Sequence, residues 1–223
     1  MSQRLIVFFD WQNVYKRARE TFEGNDGPAY KGQVDPIDLA RVLQRKYEEH
    51  HDVIAELEQI RVYRGRPTQQ HDPKGYQAFR RQDSNWSRNN KLLPFYSDLR
   101  YPENWGQPGC DKPREKGVDV ALAVDLVTLA HKGLMDAAIV MSADYDLLPA
   151  IETAVKVEDG PRVEVAAWKG QHDSRPLRIR RANGPLWCHW LSQQDYWGVT
   201  DDTDYALPAE RPVRPVPGPP RRY

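Results

Sequence analysis

The sequence has few cysteines, no net charge and no long hydrophobic run, and each of these absences excludes a class of protein. Only two cysteines occur among 223 residues, and they form no C-x-x-C pair, which argues against a disulfide framework or a cysteine zinc site. The 32 Lys and Arg side chains balance 32 Asp and Glu side chains, so the overall charge predicts no partner. No stretch approaches the about 20 apolar residues that span a bilayer.

The two ends of the sequence differ from its middle. Near the start, the apolar run from Leu5 to Phe9 is too short for a secretory signal and stops at Asp10. We therefore expect a cytoplasmic protein without membrane contact. Residues 1–200 are predicted to form one domain. Residues 208–223 contain six prolines, so we expect residues 201–223 to be a flexible Pro/Arg-rich tail.

Between these ends, β-favouring apolar runs alternate with segments of helical periodicity. Strands are predicted over residues 5–9, 57–65, 91–100, 136–142, 162–168 and 184–191. Helices are predicted over residues 11–22, 35–50, 73–90, 118–133 and 147–155, and residues 101–114 form an irregular loop. Alternation of strands and helices predicts an α/β fold, a three-layer α/β/α sandwich with a mainly parallel central sheet.

Carboxylates follow the ends of two predicted strands and begin one predicted helix. Ligands of open parallel sheets gather at the carboxyl ends of the strands. We expect four acids from three separate segments to meet there, namely Asp10, Asp119, Asp144 and Asp146. Asn13 and Ser142 add neutral oxygen donors close to the same edge.

A cluster of this kind suits a hard divalent cation. Mg²⁺ and Mn²⁺ prefer oxygen ligands, and a bound cation removes the mutual repulsion of the carboxylates. The ordinary alternative is that Asp10, Asp119 and Asp144 are helix N-caps. Asp125 differs from them because it lies in an apolar helix, where a structural pairing with a buried Arg or Lys is expected.

Three segments resemble the motifs of the NYN-domain family of PIN-like nucleases, especially its LabA-like branch. They are "FFDWQNVY" (8–15), "KGVDVALAVDL" (116–126) and "AAIVMSADYDLLPAI" (137–151). They match the family's F-x-D-x-x-N, K-G-V-D and S-x-D-x-D patterns, in the same order. The resemblance covers residues 4 to about 168.

The resemblance implies a PIN-like, Rossmann-like fold and metal-dependent phosphodiester cleavage, mostly of RNA. It implies that Asp10, Asp119 and Asp144 bind Mg²⁺ or Mn²⁺, that Asp146 is a fourth catalytic acid, and that Asn13 is a polar support. The chain departs from the common pattern at Trp11, Ala143 and Tyr145. A bulky Trp11 would narrow the site if it faced the metal. No acid is lost, so an active enzyme is expected.

A basic segment offers a nucleic-acid surface in an otherwise neutral chain. Residues 61–91 carry eight Lys or Arg side chains against two Asp, interleaved with Tyr63, Tyr76, Phe79 and Trp86. Cations meet phosphates and aromatic rings stack on unpaired bases, which predicts substrate contacts here. The predicted substrate-binding residues are Asn13, Ser142, Lys116, Arg64, Arg66, Arg80 and Arg81. The alternative is a solvated helix face with the aromatic rings on its core side.

The function predicted from these features is a metal-dependent nuclease, most consistent with a single-stranded-RNA endoribonuclease. One alternative is a non-catalytic RNA-binding or regulatory protein on a degenerate scaffold, which Trp11 and Tyr145 would favour. Another is a structure-specific DNA nuclease, because the metal chemistry does not distinguish the sugars. A phosphatase of the haloacid dehalogenase type needs D-x-D after the first strand, and this chain has Asp10-Trp11-Gln12.

Overall fold

A parallel sheet forms the centre of the protein in a computed structural model that describes residues 2–24, 26–28, 30–170, 180–181 and 184–207. Six strands lie side by side in the order β3-β2-β1-β4-β5-β8. They are β1 (Gln3–Asp10), β2 (Ala55–Arg66), β3 (Leu92–Asp98), β4 (Ala137–Met141), β5 (Arg162–Trp168) and β8 (Cys188–Leu191). A short antiparallel pair, β6 (Arg180–Arg181) and β7 (Gly184–Pro185), stands apart from the sheet.

Helices connect the strands of the sheet. They are α1 (Trp11–Ala18), α2 (Pro36–His51), α3 (Pro73–Trp86), α4 (Val118–His131), α5 (Leu148–Val155) and α6 (Gln193–Trp197). A π-helical turn (Arg19–Glu23) continues α1, and a 3₁₀ turn (Tyr145–Leu147) precedes α5. Two residues favour the start of α2. Asp35 is the N-cap, because its carboxylate accepts hydrogen bonds from the N–H groups of Ile37 and Asp38, and Pro36 occupies the first helical position.

Successive side chains of β1 point to opposite faces of the sheet, and each face has its own hydrophobic core. Leu5, Val7 and Phe9 face one side, where they pack with apolar residues of α1 and α2. Ile6 and Phe8 face the other side, where they pack with α4 and α5. All five side chains are fully buried. The predicted three-layer α/β/α sandwich with a parallel central sheet is therefore confirmed.

The part of the chain beyond residue 200 is described only to residue 207. Tyr205 is buried, its hydroxyl donates to Asp201, and its carbonyl accepts a hydrogen bond of 2.7 Å from Arg81 of α3. Residues 208–223, most of the predicted tail, lie outside the described residues. The division at residue 200 stays a prediction. Over the described ranges, no helix has both the length and the apolarity needed to cross a membrane.

Candidate active site

Asp10 occupies the carboxyl end of β1, at the edge of the sheet where α1 begins. Its carboxylate accepts the N–H of Asn13 at 3.3 Å, so it is the N-cap of α1. Its other oxygen accepts a hydrogen bond of 2.8 Å from the hydroxyl of Ser142. β1 and β4 are parallel, with Phe9 opposite Met141. The residues that follow these two, Asp10 and Ser142, therefore lie side by side at this edge. Asp10 is thus both a helix cap and part of a polar cluster.

The turn after β4 is joined to α1 through a short chain of hydrogen bonds. Ser142 is buried, and its hydroxyl also accepts the N–H of Asp144 at 3.0 Å. The side-chain oxygen of Asn13 accepts the N–H of Ala143 at 3.1 Å. Asp144 in turn caps the following 3₁₀ turn by accepting the N–H of Asp146 at 3.0 Å. Asn13 and Ser142 therefore fix the relative positions of Asp10 and Asp144.

Asp119 reaches the same edge from α4, on the other side of the sheet. It lies in the first turn of the helix, but the N-cap position is Gly117, which has a left-handed φ of 76°. Capping therefore does not account for Asp119, in contrast to Asp10 and Asp144. Burial raises the pKa of Asp10 above its ordinary value, and the negative charges of Asp144 and Asp119 raise it further against the hydrogen bonds from Ser142 and Asn13.

Glu115 is an acid of this edge that the sequence analysis missed. Its carboxylate accepts the N–H of Gly65 in β2 at 2.6 Å, and burial raises its pKa, as does the charge of Asp10. A Cβ on Gly65 would lie 2.7 Å from Cγ of Glu115, so glycine is required for this approach. The available signal was an acid directly before the K-G-V-D segment. We call Asp10, Glu115, Asp119 and Asp144 the acid rim.

The acid rim carries the oxygen ligands that a divalent cation prefers, but its side chains are not already arranged around an ion. Among the described residues, no group of three or more His, Cys, Asp or Glu side chains is arranged to hold a metal ion. Carboxylate oxygens are nevertheless the ligands that Mg²⁺ and Mn²⁺ prefer. Burial and the negative charges of Asp144 and Asp119 raise the pKa of Asp10, which disfavours its own negative charge. A cation would compensate it, so the residues present fit such an ion.

Asp146 and Trp11 lie next to the acid rim in sequence, but the side chain of one is exposed and that of the other is buried in the core. The side chain of Asp146 is exposed, and its backbone rather than its carboxylate enters the hydrogen-bonded turn. Trp11 is buried and packs edge-to-face on Trp86 with ring centroids 4.9 Å apart. The sequence-based concern that Trp11 would narrow the site is therefore wrong, because the indole points into the core.

The predicted basic and aromatic substrate surface is largely used for internal packing. Arg64 donates to Gln82 at 2.6 Å and lies over the rings of Phe79 and Trp86, and its burial lowers its pKa. Tyr63, Phe79 and Trp86 are all buried. These three rings thus form the core side of β2 and α3, as the alternative interpretation expected, whereas Tyr76 is half-buried and accepts a hydrogen bond from the exposed Arg80.

The remaining predicted cations have varied settings. Arg66 pairs with Asp98 at 2.8 Å, and Arg81 donates to the carbonyl of Tyr205. Arg80 is exposed and donates to the hydroxyl of Tyr76 at 3.4 Å. Lys116 is exposed directly after Glu115. Of these cations, Lys116 lies nearest in sequence to the acid rim, and all stay predicted substrate contacts.

Asp125 confirms its predicted structural role. Its carboxylate accepts hydrogen bonds from Arg61 at 2.6 Å and from the hydroxyl of Tyr63 at 2.7 Å. Both partners lie on β2, so the pair joins α4 to the sheet.

A parallel α/β sandwich with acids along the carboxyl edge of its sheet is a known framework for divalent-metal chemistry on phosphates. The family model for the NYN domain matches residues 4–182, so the chain belongs to the NYN domain family. NYN domains are usually nucleases and generally use divalent metals, and the presence of the domain implies nucleic-acid binding. Membership is consistent with the PIN-like superfamily, and the LabA-like branch stays a prediction.

Among solved structures, the chain is similar to the crystal structure of a protein of unknown function from Vibrio parahaemolyticus, with 19% sequence identity and a TM-score of 0.42. The similarity covers 74% of this chain and 81% of that chain. The comparison with curated proteins found no match.

Proposed function

We propose that the protein is a metal-dependent nuclease that hydrolyses phosphodiester bonds in single-stranded RNA. The observation that carries the proposal is the hydroxyl of Ser142, which bonds both the Asp10 carboxylate and the N–H of Asp144. This link holds two acids from separate strands at one edge. Membership of the NYN domain family supports nuclease chemistry for that edge.

Asp10, Asp119 and Asp144 would hold the Mg²⁺ or Mn²⁺ ion. Such an ion lowers the pKa of a bound water and neutralises charge on a phosphate. The chain's own contribution is to position the acids. Ser142 and Asn13 hold Asp10 and the turn of Asp144, while the Gly65 N–H holds Glu115. Lys116 is exposed beside Glu115 and would bind a substrate phosphate.

Asp146 and the arginines have a secondary place in this proposal. Asp146, with its exposed side chain, stays the predicted fourth catalytic acid, which Asp146→Asn would test. Arg66 and Arg80 have surface-accessible charges that suit distant phosphates, whereas Arg64 and Arg81 are engaged within the protein. A cytoplasmic location stays a prediction.

Two alternative functions make different predictions. A non-catalytic RNA-binding protein on the same scaffold would bind strands without metal-dependent turnover. A structure-specific DNA nuclease would cleave DNA in preference to RNA. Of the two features that favoured a degenerate scaffold, Trp11 is a core residue and no longer supports it, whereas Tyr145 is exposed.

A cleavage assay separates these functions. Labelled single-stranded RNA and DNA of the same sequence are incubated with the purified protein in Mn²⁺, Mg²⁺ or EDTA, beside Asp144→Asn. We expect RNA cleavage that needs the metal and is lost in the variant. Binding without cleavage under every condition would contradict the proposal and favour the non-catalytic alternative. Preferential cleavage of the DNA strand would favour the DNA nuclease.

A further inference from the structure

A cavity of about 840 Å³ opens directly beside the acid rim. It lies between α1, the turn after β4 and the end of β5, and two of its lining residues, Asn13 and Ser142, hydrogen-bond Asp10 of the rim. Its lining includes Asn13, Arg17, Ser142, Tyr145, Trp168 and Lys169. Its volume falls in the range of pockets, about 300–1,000 Å³, that enclose small organic ligands. A group bound there would be adjacent to any phosphate at the rim.

The inner wall of the cavity is aromatic and held in place by packing. The indole N–H of Trp168 donates to the carbonyl of Val14 at 3.0 Å, and the side chain is buried. Phe22 packs edge-to-face on Trp168, with ring centroids 5.8 Å apart. This wall is therefore a fixed aromatic surface on which a flat ring can lie.

Tyr145 contributes an exposed ring at the side of the cavity nearest the acids. It stands between Asp144 and Asp146 in sequence, and 53% of its surface is accessible. The cap made by Asp144 fixes the backbone of the turn on which Tyr145 lies. An exposed aromatic side chain on a fixed turn is suited to stacking on a planar partner.

Positive charge accompanies this aromatic ring. Arg17 and Lys169 both line the cavity, and both are exposed to solvent. Glu20 also lines the cavity and pairs with Arg17 at 3.2 Å, an exposed contact that contributes little to stability, so Arg17 can bind a phosphate instead. The cavity thus offers a stacking surface and cations within one site, next to the acids.

We propose that this cavity binds one nucleobase of the substrate strand, stacked on Tyr145, next to the phosphate at the acid rim. The inference deepens the proposed function and rests on it for the identity of the strand. A base inside a duplex cannot enter the cavity unless it is flipped out of the stack. The cavity therefore selects single-stranded substrate, and Tyr145 is the residue through which it does so.

Binding measured in EDTA tests the inference without turnover. Fluorescence anisotropy compares a labelled 12-nucleotide single-stranded RNA with a strand of equal length made of abasic ribose phosphates. The proteins are the parent, Tyr145→Ala, Tyr145→Phe and Trp197→Ala. Trp197 is the matched control because it is 63% exposed and does not line the cavity.

The parent should bind the base-bearing strand about 10-fold more tightly than the abasic strand, as expected for one stacked base. Tyr145→Ala should lose this advantage and bind the abasic strand as the parent does. Tyr145→Phe and Trp197→Ala should match the parent. Equal binding of base-bearing RNA by Tyr145→Ala and the parent would overturn the inference, as would equal weakening of both strands or a parent that binds neither.

Failure of the nuclease proposal gives a different pattern. A parent that cleaves no strand in Mn²⁺ but shows the Tyr145-dependent preference for bases refutes the nuclease and retains the base site. A parent that cleaves RNA without such a preference retains the nuclease and refutes the base site.

Discussion

The hydroxyl of Ser142 lies 2.8 Å from a carboxylate oxygen of Asp10, although the two residues are 132 positions apart in the chain. The contact joins the ends of two neighbouring parallel strands. The same hydroxyl accepts a hydrogen bond from the N–H of Asp144, so one buried serine links the Asp10 carboxylate to the backbone of Asp144. The relative positions of Asp10 and Asp144 in the acid rim depend on this side chain.

Ser142→Ala should destabilise the protein and impair cleavage together. The substitution leaves the Asp144 N–H without its acceptor and removes a donor from Asp10, at a cost of about 1–3 kcal/mol in the free energy of unfolding. Urea unfolding followed by circular dichroism measures this loss. Ser87→Ala is the control, because the Ser87 hydroxyl bonds the carbonyl of Asp83 at an exposed position and should change stability little. An unchanged unfolding midpoint in Ser142→Ala would show that the link is not important for stability.

Asp144→Asn should separate the effect of the negative charge of Asp144 from the effect of its capping hydrogen bond to the 3₁₀ turn. Asparagine caps a helix as well as aspartate does, so the turn should persist while one negative charge leaves the acid rim. In EDTA the variant should melt at or above the temperature of the parent. Mn²⁺ at one hundred times its Kd should stabilise the parent by about 2.7 kcal/mol, which is about 5–10 °C in Tm.

Asp144→Asn should lose most of that shift in thermal melts with Mn²⁺. Asp146→Asn is the matched comparison, because the Asp146 side chain is exposed beside the same turn. A parent whose Tm does not respond to Mn²⁺ or Mg²⁺ would argue against a cation at the rim.

Glu164 should make stability depend on pH in the acid range. Burial raises its pKa, but hydrogen bonds from His189 of β8 at 2.7 Å and His51 of α2 at 2.8 Å more than offset this, and the pKa lies below the ordinary 4.5. The group therefore stabilises the fold fully above about pH 4.5 and loses this contribution as the pH falls through the lowered pKa.

Glu164→Gln tests this dependence. At pH 7 the variant should be less stable by about 1.5–3 kcal/mol, the usual contribution of hydrogen bonds to a charged group. The difference from the parent should shrink below pH 4.5 in denaturant unfolding from pH 7 to pH 3. Glu158→Gln, at an exposed carboxylate, provides the control. A constant difference across the range would mean that the charge of Glu164 is not responsible.

Gly65→Ala should disturb the rim through Glu115. A Cβ at this position would overlap the Leu99 side chain and lie 2.9 Å from a carboxylate oxygen of Glu115. Overpacking of this kind costs about 1–3 kcal/mol. Thermal denaturation measures it beside Gly27→Ala, where an added Cβ comes no closer than 4.0 Å to Lys31. Equal effects of the two substitutions would contradict the close packing of Glu115 on β2.

The sequence predicts the sheet and two of the acids well for a physical reason. A buried parallel strand reads as a continuous apolar run, and the residue that follows it must lie at the carboxyl edge. Asp10 and Asp144 are therefore placed by local patterns alone. Asp125 was also predictable, because a carboxylate within an apolar helix needs a cationic partner.

Other features depend on contacts that no local pattern encodes. Glu115 reaches the rim only because β2 presents the N–H of Gly65 to a loop residue 50 positions later. The rings of Phe79 and Trp86 have a spacing compatible with one helix face, but composition does not decide whether that face meets the core or a ligand. Packing of α3 decides it, and the rings are buried.

Cleavage by Asp119→Asn tests the central claim most directly, because Asp119 belongs to the acid rim without serving as a helix cap. The measurement is the single-turnover rate on single-stranded RNA in saturating Mn²⁺, with RNA binding in EDTA measured alongside. We predict a rate at least about 100-fold below that of the parent, as for loss of a major transition-state contact, with unchanged binding. A variant that cleaves RNA at the parental rate would contradict the assignment of the acid rim as a catalytic metal site.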